Sequence, residues 1–265
     1  MNDWRAYDEV AETYERVRAP ITAHPAADLV ALAGVQPGAR VLDVGTGTGV
    51  GAEAAARAAG AGLVVGVDQS PPMLRVGRRS RPALRFAAAE AIQLPFRDAA
   101  FDVVTAGFVI HMFTRYETAI FDLLRVLRAG GVFAASAWAN GEDELGKTWR
   151  TLAEETVGQE ILDSARDDAT PGRDRFGDPA RFEEALRDAG LRPVRIERRA
   201  YRYSLSREDY LAEQGTRALG RFVHEMLGDA GWSSFLDRVR AAFSQRFGER
   251  IDDSRDVLLA IGGKP

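Results

Sequence analysis

The sequence predicts a doubly wound α/β domain on a seven-stranded, mostly parallel sheet, with helical cap insertions. Three observations carry this. Short apolar runs rich in β-branched residues recur through the first half of the chain, as buried parallel strands require. Single helical stretches separate them, which implies right-handed crossovers and a sheet covered on both faces. After residue 138 the rhythm breaks, and two tracts without strand signals, 140–177 and 206–250, surround the last strands.

The N-terminal segment places Trp4, Tyr7, Ala11, Tyr14 and Val17 along one helical face, a stripe suited to packing on the sheet edge or closing over a ligand. "ARVLDVG" (39–45) reads as the first strand, and "VGAEAAARAAG" (50–60) as an alanine-rich helix stopped by Gly60. "GLVVGVD" (62–68) is the second strand. Ser70 as N-cap and Pro71 at the first helical position open a helix through residue 80. "LRFAAAE" (84–90) and "FDVVTAGFVI" (101–110) supply strands three and four. Thr114 and Glu117 have capping-box spacing, opening a helix that runs to about Arg128. "GVFAASAW" (131–138) is strand five. Asp178, Pro179 and Gly190 delimit a helix. The alternating "PVRIERRAYRYSL" (193–205) suits an edge strand, a helical tract runs from Ser206 to Phe247, and "RDVLLAIGG" (255–263) is the last strand. The whole reads as one domain over 1–265, with N-terminal helices over 1–34 and the two insertions as a cap.

With 46% hydrophobic residues in 265, a sizeable core is available. The lack of cysteine excludes disulfides, thiolate metal sites and thiol nucleophiles, and no metal is expected. A net charge of −4 argues against a nucleic-acid partner. The N-terminus has no signal-peptide or anchor character, and no apolar run approaches the ~20 residues of a membrane span, so a cytoplasmic location is expected.

"VLDVGTGTGVGA" (41–52) can be read in two ways. From Gly47 it contains G-x-G-x-x-A, the dinucleotide fingerprint; from Asp43 it reads D-x-G-x-G-x-G. Ligands of open α/β sheets bind outside the carboxyl ends of the strands, so both readings place an adenosine-containing cofactor here, with Asp68 at the end of strand two for the ribose hydroxyls. An acid beside a pyrophosphate is unhelpful, and neither lysine has a tyrosine four residues before it, as a hydride-transfer pair would require. An ammonium-bearing cofactor suits the acid.

Together with "VDQSPPML" (67–74), "AEAIQLPF" (89–96) and "FDVVTAGFVIHMF" through "LLRVLRAGGVFAASAW", the loop resembles the class I S-adenosylmethionine-dependent methyltransferases, in the subgroup of the ubiquinone and menaquinone C-methyltransferases. The resemblance covers about residues 35–138 and implies a Rossmann-like fold. It further implies that Asp43, Gly45, Thr46, Gly47 and Gly49 wrap the methionine end of the cofactor and that Asp68 holds the ribose. Gln69 and Met73 then lie along the adenosine, Glu90 and Ala91 at the adenine edge, and Gly107 as a further cofactor contact. Tyr7 and Tyr14 form a lid, as an N-terminal tyrosine helix does in related enzymes. The family most often has aspartate at Glu90 and proline at Ala129.

Methyl transfer from a sulfonium to a small organic acceptor is an in-line displacement. It gains from positioning and water exclusion, needs a base only if the acceptor atom must lose a proton, and yields S-adenosylhomocysteine. His111, directly after strand four, is the candidate base, with a pKa suited to neutral pH; His24 and His224 read as structural. Phe108, Trp138, Trp149 and Tyr203 are candidates to line the acceptor pocket. The arginine-rich 195–208 could bind an acidic substrate, and a solvated edge strand explains it more simply. No Asn/Asp-Pro-Pro-Tyr/Phe follows strand four, which argues against a DNA base as acceptor. A cofactor-binding regulator without turnover and an NAD(P)-dependent oxidoreductase remain the alternatives; homodimerisation and whether O, N or C is methylated are left open.

Overall fold

The computed structural model describes residues 7–141 and 143–265, so Trp4 of the expected N-terminal stripe lies outside the described residues. The elements run α1 (Ala11–Val17), α2 (Ala19–Leu32), β1 (Arg40–Val44), α3 (Val50–Ala59), β2 (Leu63–Asp68), α4 (Pro71–Ser80), β3 (Arg85–Ala88), β4 (Phe101–Gly107), α5 (Tyr116–Val126), β5 (Leu127–Trp138), α6 (Glu144–Val157), α7 (Gln159–Ala169), α8 (Arg173–Phe176), α9 (Pro179–Asp188), β6 (Val194–Ser206), α10 (Arg207–Thr216), α11 (Ala218–Arg246) and β7 (Arg250–Gly263). The strand order is β3-β2-β1-β4-β5-β7-β6. The first five strands are parallel; β7 is antiparallel to β5 and β6. The doubly wound seven-stranded sheet is the one expected.

Because successive strand residues point to opposite faces, β1 feeds two cores at once. Leu42 and Val44 pack with Ile120 and Leu123 of α5 and Phe182 and Leu186 of α9 on one face. Val41 packs with Leu29 and Val30 of α2 and Ala52 and Ala55 of α3 on the other. The alanines of α3 let that helix lie close against β1.

Several boundaries differ from expectation, each for a local reason. β4 stops at Gly107 because Phe108 adopts φ +54°, outside strand geometry. The Thr114 capping box does not form: a 3-10 turn over Ile110–Met112 redirects the chain, and Arg115, which has no acceptor, takes the N-cap of α5. α5 ends at Val126 because Leu127 pairs with Phe101 and joins the sheet. The expected tract 206–247 is two helices, and α11 is broken at Gly228 (φ 64°, ψ 175°). Ser70 and Asp178 do cap as expected, accepting from the N–H groups of Met73 and Arg181.

The pairing of β6 with β7 reaches from Val194–Gly262 to Ser206–Arg250, whereas β7 pairs with β5 only from Val257 onward. Residues 200–206 and 250–256 therefore run past the carboxyl edge of the sheet as a two-stranded ribbon. Residues from both inserted tracts share a separate apolar cluster at its end: Trp149 of α6, Leu162 of α7, Tyr210 of α10 and Phe235, Val239 and Phe243 of α11 gather with Ile251. The helices after β5 and after β6 thus stand together above the edge where β1, β2 and β4 end.

Candidate active site

β1 delivers Asp43 to that edge, 3% exposed. One carboxylate oxygen accepts from Thr46 Oγ1 at 2.6 Å and the other from Thr105 Oγ1 of β4 at 2.7 Å. Burial pushes its pKa above the ordinary carboxylate value, and the bonds from Thr46, Thr105 and the Ala52 N–H only partly offset this. Asp43 therefore braces the loop from below, tying β1, β4 and α3 together. Above it Gly45, Gly47 and Gly49 all have positive φ, at 66°, 56° and 99°. A Cβ at Gly45 would lie 2.5–2.8 Å from three atoms of Val109, and one at Gly49 would lie 2.7 Å from Phe86. Backbone conformation and close approach both demand glycine here.

Asp68 ends β2 and closes the same loop, accepting from the Gly47 N–H at 2.7 Å and the Ser70 N–H at 2.9 Å. Burial raises its pKa, opposed by those N–H groups and reinforced by the nearby Asp8. The Ala89 N–H donates to the Asp68 carbonyl at 3.1 Å, tying the ends of β2 and β3 together. Gln69 and Glu90 are exposed along this edge, and Ala91 is half-buried.

Met73 is buried with Val76 of α4 against Ala11, Tyr7 and Tyr14, so the N-terminal segment packs over the glycine-loop side of the sheet edge. Tyr7 and Tyr14 meet edge to face at 5.8 Å. Burial pushes the Tyr14 hydroxyl up to about 12. The segment is held from both sides. Glu12 and Glu15 pair with Arg79 and Arg81 toward α4, while Arg16 and Arg18 pair with Asp209 and Glu213 of α10. The Arg221 guanidinium of α11 lies 4.0 Å over the Tyr7 ring.

Past Gly107, Phe108 stacks on Trp138 at 4.4 Å and donates its N–H to the Ser136 carbonyl at 3.0 Å. A bulky residue at φ +54° is a local strain that these contacts must hold in place. Beyond it the 3-10 turn carries His111. A cavity of about 470 Å³ opens between this edge and the helices above, lined among others by Tyr7, His111, Trp138 and Trp149. Phe108 backs Trp138 without joining the described lining, and the Tyr203 hydroxyl is bonded to Asp253 on the ribbon. A larger groove of about 790 Å³ between α5, α9 and the C-terminus includes Asp98 and Ala99, just before β4, and so lies at the opposite edge.

Burial, reinforced by the positive charges of Arg18 and Arg173, pushes the pKa of His111 down to about 4. This corrects the expectation of a near-neutral value: a buried imidazole beside two cations resists protonation. Its Nδ1 is buried without a hydrogen-bond partner, and its carbonyl accepts from the Gly172 N–H at 2.9 Å. His24 is exposed on α2, and His224 pairs with Asp229 at 2.9 Å.

Sequence reasoning missed the polar part of the cavity wall. Gln214, Arg217 and Arg255 line it, with Arg18 from the N-terminal segment. Glu213, 1% exposed, holds Arg18 and also Arg217 at 2.8 Å. These positions lie in three separate stretches of chain, so no local motif announces them.

Residues 42–135 match the family described as a methyltransferase domain. The demethylmenaquinone methyltransferase of Thermus thermophilus is 41% identical over 96 residues, covering 35% of this chain and 44% of the relative. That of a Roseiflexus species is 36% identical over 137 residues, covering 49% and 57%. The chain thus spans about half the length of the curated relatives it matches. The crystal structure of the YcgJ protein of Bacillus subtilis superposes with a TM-score of 0.58 at 21% identity, covering 91% of this chain and 98% of that one, a likeness of fold. Over residues 42–135 the chain thus matches a methyltransferase domain, and this stretch is similar to the menaquinone and ubiquinone C-methyltransferases.

Proposed function

We propose that the protein transfers a methyl group from S-adenosylmethionine to a small organic acceptor held between the sheet edge and the helical cap. One juxtaposition carries the reading. The glycine loop and the 3-10 turn with His111 meet through Val109, whose side chain fills the space a Cβ would need at Gly45. The cavity opens directly beside that turn. The residues present fit the cofactor: three glycines with positive φ shape a loop whose backbone no side chain of its own covers at those positions, and Asp68 stands at the strand end. When bound, the cofactor supplies an activated methyl on a good leaving group.

The residues of this chain do the rest by holding and shielding. Gly45, Thr46, Gly47 and Gly49 cradle the methionine end over the Asp43 brace, and Asp68 exchanges a loop N–H for ribose hydroxyls. Met73, Gln69, Glu90 and Ala91 flank the adenosine, with Gly107 beside it. Tyr7 and Tyr14 close the site from the N-terminal side, pinned between α4 and the cap. We further propose that the helices of 140–177 and 206–250 belong to the same domain and carry acceptor specificity, since their residues supply most of the cavity wall. His111 is uncharged at neutral pH and can accept a proton at its ring. The burial that keeps it neutral also weakens it as a base, so it suits an acceptor that is already acidic, such as an enol or phenol.

Among the described residues no helix is long and apolar enough to cross a membrane. We place the reaction in the cytoplasm, because a chain without cysteine gains nothing from an oxidising compartment. Titration with S-adenosylhomocysteine and NAD(H), followed by cofactor turnover against an acceptor panel, tests the reading. NAD binding with no heat from the methionine-derived ligand would refute it, and cofactor binding without turnover on any acceptor would favour a regulator.

A further inference from the structure

The cavity wall is unbalanced in its hydrogen bonding. Among the described residues five of its side chains carry buried N–H groups without an acceptor: Arg217 Nη2, Arg255 Nη2, Gln214 Nε2, Trp138 Nε1 and Trp149 Nε1. Gln214 is only 2% exposed and Trp149 4%. The acids of the lining are already engaged. Asp143 caps α6 by accepting from the Gly146 N–H at 2.5 Å, and Asp256 accepts from Arg198 at 2.7 Å. Behind the wall Glu213 faces Arg18, Arg217 at 2.8 Å and, at 3.9 Å, Arg255, whose Nε is held by Asp253 at 3.2 Å while its Nη2 is left without an acceptor. Arg18 and Arg255 also stand over the Trp138 ring, at 5.7 and 5.6 Å.

Buried donors left without acceptors are costly and call for a partner. Water is a poor one here, since each molecule brings two hydrogens that need acceptors of their own. An oxyanion brings lone pairs alone. It also suits the free Nη2 groups of Arg217 and Arg255, since planar guanidiniums take an oxyanion in paired hydrogen bonds. Resting on the methyltransferase reading, we propose that the acceptor carries an oxyanion, a carboxylate or phosphate, on a one- or two-ring body, and that Arg217, Arg255, Gln214 and Trp138 receive it. The ring body fits beside Trp138 in about 470 Å³. This is a specificity not legible in the arginine-rich 195–208, where Arg199 pairs with Asp28 and Glu197 instead.

The test is calorimetric titration of the full chain with 2-naphthoate, 2-naphthyl phosphate and the neutral isostere 2-naphthamide, each with and without saturating S-adenosylhomocysteine. One oxyanion should bind at least about 10-fold more tightly than the amide, as expected for hydrogen bonds to a charged group; the tighter of the two identifies the source. Trp138→Phe keeps the ring stack and removes one donor, and Gln214→Leu removes another without touching a charge. Each should weaken the oxyanion by about 10-fold or more and leave the amide unchanged, with melting curves confirming the fold. Equal binding of all three probes, or no oxyanion binding at millimolar concentration by protein that binds S-adenosylhomocysteine, would overturn the proposal and leave the methyltransferase reading standing. Oxyanion selectivity in protein that binds no S-adenosylhomocysteine would support the subsite and sink that reading.

Discussion

Gly45→Ala tests the glycine loop most directly, because its cost can be divided into two parts. The first is conformational: alanine at φ +66° pays about 1–2 kcal/mol for the left-handed region. The second is steric: the new Cβ would sit 2.5, 2.7 and 2.8 Å from Val109 Cγ2, Cβ and Cγ1. Two of those atoms belong to a branched side chain, but the third is fixed to the backbone of the turn leading to His111, so rotation alone cannot relieve it. Overpacking of this kind costs typically 1–3 kcal/mol, which gives about 2–5 kcal/mol in total. Gly34→Ala isolates the first part, since Gly34 has φ +65° and nothing within 4 Å of its Cβ position. Urea unfolding of the two variants should therefore separate by about 1–3 kcal/mol at unchanged m-value. Only Gly45→Ala should also weaken S-adenosylhomocysteine, because only there does relief of the contact displace the loop. If the two variants lose the same stability and bind the ligand alike, the close approach of loop and turn is not a feature of the protein.

Asp68→Ala should weaken S-adenosylhomocysteine binding by roughly 1.5–3 kcal/mol, read by calorimetry on folded protein; an unchanged dissociation constant removes Asp68 from the site. His111→Gln should lower turnover about 10²–10⁴-fold with cofactor affinity intact, if the acceptor must lose a proton; wild-type turnover across pH 6–9 in the variant would make its role positional. The same residue has a stability signature. Its folded pKa of about 4 lies below the ordinary 6.5, so between those values the unfolded chain binds the proton and the folded one does not. Stability should then fall as pH drops from 6.5 toward 4, and His111→Gln should remove that share of the slope. For Glu213, burial opposes the charge, but Arg217 and Arg18 outweigh it and hold the carboxyl below its ordinary value. Its stabilising contribution is present above that value and lost as pH falls through the lowered one. Glu213→Leu, which strands its cations, should cost about 3–5 kcal/mol in chemical denaturation at pH 7; a loss under 1 kcal/mol would show that the arginines find other partners.

The sheet was legible in the sequence because its determinants are local. "VLDVG" and "LVVGVD" are apolar on both faces, and glycine at 45, 47 and 49 is what the loop's backbone requires wherever the cap lies. The N-caps at Ser70 and Asp178 were equally local and equally readable. The capping box at Thr114 failed because the turn before it, itself set by Phe108 against Trp138, decides where α5 begins. The bracing bonds of Asp43 could not be read either, because one of them comes from Thr105, sixty-two residues on.

By itself, then, the sequence determined the strand order's raw material, the glycine loop and the resemblance to methyltransferases, since periodicity, glycine placement and ordered motifs are properties of short stretches. Only the tertiary structure decided the charge state of His111, because desolvation and the approach of Arg18 and Arg173 depend on the cap and the N-terminal segment meeting over β4. It also decided the donor-rich wall of Trp138, Gln214, Arg217 and Arg255. Hydrogen-bond satisfaction is a property of what surrounds a group after folding, and residues more than a hundred positions apart become neighbours only when β6 and β7 carry the second insertion back over the sheet edge.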